Sequence, residues 1–245
     1  MRTAKFAIAS LFYHKKAMVL YTLVSFFAMI GLIVTFALID SLDQVLDQIK
    51  DVLVTDDLQS KVTNEIQPIT TLYHHLFYLL FGAYILVLLG FQFYYQLHKR
   101  NEYSAWLTTG SSSRQWLGMQ LIEMWVPLLM AAIAAFTLLM LFQPYFQKEL
   151  LSGHIFVLDR ENTSSHIWQS VQSSQNDAFG ITIPQNNQIF VQNVELNSTA
   201  WLSIMFQSTR QAILILIAAV TSITCVMVSG HCLYWRKKQW KNQLN

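Results

Sequence analysis

Residues 98 to 125 read HKRNEYSAWLTTGSSSRQWLGMQLIEMW, a short charged hairpin between two long apolar runs, each able to cross a bilayer. Lys99 and Arg100 end one run and Arg114 precedes the next, so the loop is expected to face the cytoplasm. Asn101 suits the cap of a short helix, with Glu102 in its first turn, where the helix dipole favours an acid. Gly110 lets the chain turn back, and Ser111 to Ser113 supply a cap for the next helix. A helix of about two turns is too small for a core of its own. Its Trp106 and Leu107 must rest on the membrane face, on their own bundle, or in a groove of another protein.

Working outward, the 245-residue chain is 53% hydrophobic and only 12% charged, too apolar for an ordinary soluble domain. Four runs reach the roughly 20 residues a spanning helix needs. They predict membrane helices over 17–39, 73–97, 116–142 and 211–234. An even number puts both ends on one side. Arg2, Lys5, Lys15, Lys16, Lys99, Arg100, Arg114, Arg236, Lys237, Lys238 and Lys241 then share one face, eleven of the sixteen basic residues. That face is expected to be cytoplasmic. All acids but Glu102 and Glu123 fall on the other face, so the net charge of +2 hides a division across the membrane and carries no signal for nucleic acid.

With that layout, the hairpin resembles the FtsX-like permease domain of MacB-type ABC transporters. That family has a basic residue and a Glu at the cytoplasmic end of its second membrane helix, a Gly eight residues later, and a second Glu thirteen further on, in the third. Arg100, Glu102, Gly110 and Glu123 stand at that spacing. The resemblance covers residues 75 to 140 and implies that 98–115 is a coupling hairpin. Arg100, Glu102, Trp106, Leu107, Gly110, Arg114 and Glu123 would there serve docking of a separately encoded ATPase. It further implies a second permease copy or a homologous permease, with ATP and Mg held by the ATPase partner and no cofactor in this chain.

Around the hairpin, residues 1–16 suit an amphipathic helix in the headgroup region, with Phe6, Ala9, Phe12 and Tyr13 on one side and Lys5, His14, Lys15 and Lys16 around it. A basic flank that merely orients the first span is the alternative. That first run is too long for a signal peptide and lacks a cleavage pattern, so it reads as a retained membrane helix. Beyond it, Ile39, Leu42, Leu46, Ile49 and Leu53 are spaced three, four, three and four, a heptad seam. Ile66, Ile69, Tyr73 and Leu76 give a matching stripe leading back. Segment 40–72 therefore predicts an extracytoplasmic helical stalk, or a hairpin lying flat over the helix ends.

The aromatics of the second span mark headgroup depth rather than a ligand box, and His74 and His75 read as interfacial polar groups. Glu123 is the one acid inside an apolar run. At the bilayer centre it would cost about 2.5–3.5 kcal/mol, so an inner-rim position is expected, with Trp116 and Trp125 as anchors and Arg100, Arg114 or a basic group of the ATPase as partner. Both a structural ion pair and a relaying contact fit. Pro127 is expected to kink this helix.

Segment 143–210 is rich in Ser, Asn and Gln, with apolar bursts at 154–158, 179–183 and 188–194, and predicts a small β-containing extracytoplasmic segment. The chain departs here from the resembled family, whose large outside domain lies between the first two spans, so the resemblance carries no outside partner to this segment. Cys225 and Cys232 share the last run and read as packing thiols; 235–245 is a basic, Trp-bearing tail.

The expected fold is thus all-α and integral to the membrane. There is no G-x-x-x-x-G-K-[ST] loop, no Ser/His/Asp set and no paired carboxylates, so the chain is not expected to be an enzyme. Nearly charge-free spans would line a hydrophilic conduit poorly, which favours mechanical transmission. The load would be an antimicrobial peptide or lipid, a secreted peptide, or a cell-wall enzyme, as in bacteriocin immunity or export at a bacterial cell membrane. Two other classes stay open: a stand-alone four-helix immunity or receptor protein without an ATPase, and an intramembrane enzyme.

Overall fold

In a computed structural model, the backbone is described for residues 2–52, 56–110, 112–150 and 198–243, and side chains for 5–44, 67–106, 108–110, 112–150 and 201–234. The named elements are α1 (Arg2–Tyr13), α2 (Lys15–Val52), α3 (Asp56–His98), α4 (Arg100–Thr108), α5 (Ser113–Leu141) and α6 (Ser198–Gln243). Among the described residues no strand occurs. Four helices are long and apolar enough to cross a membrane, over Lys15–Gln44, Gln67–His98, Ser113–Leu141 and Trp201–Tyr234. The chain is a multi-pass membrane protein.

Two compact units divide the chain: Met1–Gly31 with Leu80–Thr137 and Gln211–Asn245, and Leu32–Leu79 with Leu138–Arg210. The first holds the hairpin. Its core is set by helical periodicity: on α3, Leu88, Gln92, Tyr95, Gln96 and Lys99 are buried; on α5, Trp116, Met119, Gln120, Glu123 and Met124; on α6, Leu216, Val220, Thr224 and Val228. Spacings of three and four residues put each set on one face. Polar groups on these faces pair across helices. Gln92 Nε2 donates to Thr224 Oγ1 at 2.9 Å, and Gln96 Nε2 to Gln120 Oε1 at 3.3 Å. Trp125 Nε1 donates to Thr221 Oγ1 at 3.1 Å. In lipid such pairs replace the water that polar side chains would otherwise need.

In the second unit, Phe36 meets Phe77 with ring centroids 5.2 Å apart, and Ser208 donates to Asp40 Oδ2 at 3.1 Å. Helices α2 (Lys15–Val52) and α3 (Asp56–His98) both extend beyond the expected spans. Of the seam, Ile39 is half-buried, and Leu42, Ile69 and Tyr73 are buried. The side chains of Leu46, Ile49, Leu53 and Ile66, and all of the β-strand bursts in 151–197, lie outside the described residues.

Three expectations are corrected. Both flanks of the 143–210 segment are helical, at 143–150 and again from Ser198 onward. Helix α6 therefore starts well before Gln211. Gln207, Ser208 and Arg210 look like loop by composition, but Trp201, Ile204, Met205, Ser208 and Ala212 recur at helical spacing and are buried. Second, Trp116 is no interfacial anchor: it is among the most buried side chains, whereas Trp125 is partly exposed. Third, Asn101 caps nothing. Helix α4 begins at Arg100, and the amides of Lys99 and Tyr103 donate to the carbonyls of Tyr95 and Lys99, both at 3.0 Å. The helical ladder runs through the bend, so no orphan amide needs an Asn side chain. Pro127 lies within α5, which is helical throughout Ser113–Leu141.

Candidate functional site: a buried strut under the hairpin helix

The hairpin is built as its sequence suggested at its far end. Gly110 has φ +77°, a left-handed conformation that side chains with a Cβ disfavour, and it turns the chain between α4 and α5. Ser112 then forms a reciprocal capping box with Gln115: the Gln115 amide donates to Ser112 Oγ at 3.3 Å, and the Ser112 amide to Gln115 Oε1 at 3.2 Å.

Beneath the near end lies an ion pair with no solvent exposure on either side chain. Lys99 Nζ donates to both oxygens of Glu123 at 2.6 Å, and the Tyr95 hydroxyl donates to Glu123 Oε2 at 2.8 Å. Lys99 also donates to Ser10 Oγ at 2.6 Å, lies 4.9 Å from the centroid of the Tyr95 ring and 5.7 Å from that of Trp116, and sits 3.8 Å from Glu102. Glu102 in turn accepts from His14 Nε2 at 2.7 Å. Four elements thus meet at one cation: α1 through Ser10, α3 through Tyr95, α4 through Glu102, and α5 through Glu123.

Glu123 is therefore paired as expected, but with a different partner. Its cation is Lys99, while Arg100 and Arg114 lie on the exposed side. Helical phase decides this: Lys99 is one turn from Tyr95 and two from Gln92, on the inward face, and Arg100 is about 100° further round. Burying both charges costs several kcal/mol per ion. The bidentate contact, two hydroxyl partners and two aromatic faces offset that cost, so the pair's main product is position rather than net stability.

Helix α4 is split in the same way. Tyr103 is buried, with its ring 5.3 Å from Trp116 and 5.5 Å from His231. Trp106 packs edge-on against Phe6 at 5.7 Å and lies 5.9 Å from Trp116, beside a cluster that includes Ala7, Met119, Val228 and Cys232. Of the three resting places open to Trp106, its own bundle is the one it takes. The side chain of Leu107 lies outside the described residues. The other face presents Asn101, Ser104, Ala105 and Thr108, all exposed and spaced three, one and three, with Arg100 beside them.

The N-terminal helix covers the strut. Ala7, Ser10 and His14 share its inner side, whereas Phe6, Ile8, Phe12 and Tyr13 are half or more exposed. Phe6, Phe12 and Tyr13 do share an exposed face, but the side opposite is small and polar against the bundle rather than a basic face. Among the described residues no three His, Cys, Asp or Glu side chains converge as a metal site would require. What the arrangement supplies is a short helix fixed by ionic and aromatic contacts to the ends of three longer ones.

Sequence reasoning missed Lys99, Tyr95, Ser10 and His14. The signal was present: Gln92, Gln96 and Lys99 form an inward polar stripe in an otherwise apolar helix, and such a stripe needs partners at matching depth. No family model, no curated protein and no solved structure matches the chain.

Proposed function

We propose that this chain is the permease subunit of a MacB-type ABC complex in a bacterial cell membrane, with both termini cytoplasmic, and that α4 is where a separate ATPase subunit docks. The observation that carries the reading is the pairing of an exposed, small polar stripe on α4 (Asn101, Ser104, Ala105 and Thr108) with an inner face locked by Lys99–Glu123 and Trp106. A loose hairpin would absorb a push. A locked one passes it to α3 and α5, which continue through the membrane. The spacing of Arg100, Glu102, Gly110 and Glu123 supports the same reading. Two copies, or a copy and a homologous permease, would work with two ATPases that bind ATP and Mg. Motion would travel along α2 and α3 to a stalk at 40–72 and act there on a peptide, a lipid or a cell-wall enzyme.

The test is purification from native membranes in mild detergent. A nucleotide-binding subunit is expected in stoichiometric amount, and Ala105→Trp combined with Thr108→Arg is expected to remove it without shifting thermal unfolding, since both sites are exposed. Absence of any such subunit, or its full retention by the double variant, overturns the assignment. A second reading, a stand-alone immunity or receptor protein, draws on Trp106, whose aromatic surface is already spent on its own bundle. That reading requires no ATPase in the same purification.

A further inference from the structure

A groove of about 280 Å³ opens between α2 and α3, lined by none of the residues of the hairpin's exposed stripe. Its floor is Tyr21, Tyr84 and Leu88, all buried, with Tyr21 stacked on Phe91 at 5.1 Å. Its walls are Leu20 and Val24 on one helix and Val87 and Tyr94 on the other. Gly90 leaves it open: a Cβ there would meet nothing within 4 Å. From Tyr84 to Tyr94 the groove runs about 15 Å at about 1.5 Å per residue. That is half of a hydrocarbon core about 30 Å thick, the depth of one leaflet.

Both walls lie within stretches apolar enough to cross the membrane, so the medium outside the groove is hydrocarbon. One end of the groove is charged. Lys16, Leu20 and Val24 form a single i, i+4, i+8 row, which places the exposed Lys16 at the end of the wall that Leu20 and Val24 build. Lys15 is exposed beside it. Opposite, Tyr94 stacks on His98 at 6.1 Å, both exposed, and continues the other wall toward the same end. An apolar slot one leaflet deep, ending at paired ammonium groups, matches a lipid with a hydrocarbon tail and a negative headgroup.

We propose that this groove binds one acyl chain of an anionic phospholipid, with its phosphate held at Lys16. Transfer of a tail from bulk lipid into the groove gains little by itself, because both sides are hydrocarbon. Selectivity must come from the headgroup, and one lysine near the surface favours an anionic lipid by about fivefold. The occupant is a lipid rather than a second copy, since the lysines at the mouth of the groove would oppose the same lysines brought near by a symmetric partner.

Native mass spectrometry of the full chain, titrated with phosphatidylglycerol or phosphatidylcholine of matched tails, tests the site. Wild type is expected to retain one phosphatidylglycerol about fivefold more tightly than phosphatidylcholine. Lys16→Gln should bring the two lipids level. Gly90→Phe should lower phosphatidylglycerol retention to the phosphatidylcholine level by filling the slot that seats its tail, and Val87→Trp, at an exposed rim position, provides the same blockade if the first variant folds poorly. Equal retention of both lipids by wild type, or retention unchanged in both blocking variants, overturns the proposal. So does efficient homodimer cross-linking at Gly90→Cys in membranes, which would show the groove covered by a second copy.

Discussion

Replacing Lys99 by Met removes the cation from a carboxylate that has no access to solvent and leaves the Tyr95 hydroxyl as the partner still donating to it. Breaking one side of a buried pair costs about 3–5 kcal/mol, and a chain of this size loses about 2–4 °C of unfolding temperature per kcal/mol. A fall of about 6–20 °C is therefore expected on those scales. Glu123→Gln should cost less, about 1–3 kcal/mol, because Lys99 keeps Ser10, two aromatic faces and Glu102 at 3.8 Å. The double variant Lys99→Met/Glu123→Met removes both charges and should recover most of the loss, to within about 1 kcal/mol of wild type. Thermal unfolding followed by tryptophan fluorescence in detergent measures all three. If Lys99→Met unfolds within about 2 °C of wild type, or the double variant loses the sum of the singles, the two charges are not coupled as their geometry requires.

Other consequences follow from the same contacts. His14→Ala should loosen α1 from the hairpin and cost about 1–3 kcal/mol, because the buried ring donates to Glu102 and packs on Tyr95 and His98; faster amide exchange centred on residues 2–13 would show it, and unchanged exchange would count against the contact. Gly110→Val should destabilise by about 1–2 kcal/mol and Gly110→Asn by clearly less, since the left-handed φ is the obstacle and space is not; equal losses would contradict that cause. Ser112→Ala should cost about 1 kcal/mol through loss of the capping box, seen as a lower unfolding temperature. In a background with Cys225 and Cys232 replaced by Ala, a membrane-impermeant thiol reagent should label Ser104→Cys and Asp43→Cys from opposite sides of the membrane. Labelling of both from one side would dismantle the proposed topology.

Much of this was legible because a bilayer leaves few options. Runs of about 20 apolar residues can only be helices there. The capping box and the left-handed glycine were legible for a related reason: each is local, decided within four residues. The early start of α6 was not, because Ser208 and Arg210 argue against a helix unless the buried positions from Trp201 to Ala212 are already known to face a partner. Asn101 misled for the opposite reason. Its preference for caps is real, but the carbonyl of Lys99 already accepts from the Tyr103 amide that such a cap would have served.

The partner of Glu123 is the instructive case. Three basic residues lie near enough in sequence, and charge alone ranks Arg100 and Arg114 with Lys99. Helical phase breaks the tie, since only Lys99 continues the row of Leu88, Gln92 and Tyr95 that the helix buries. The consequence reaches beyond identity. An Arg on the outer face of α4 would leave the hairpin free to swing on its own bend. A Lys at the bend, bonded at once to α1 and α5, makes α4 move with the helices it joins. Under the proposed docking, a load applied at Ser104 or Ala105 would be delivered to α3 and α5 together, the mechanical property that a docking helix for a motor must have and that a free loop would lack.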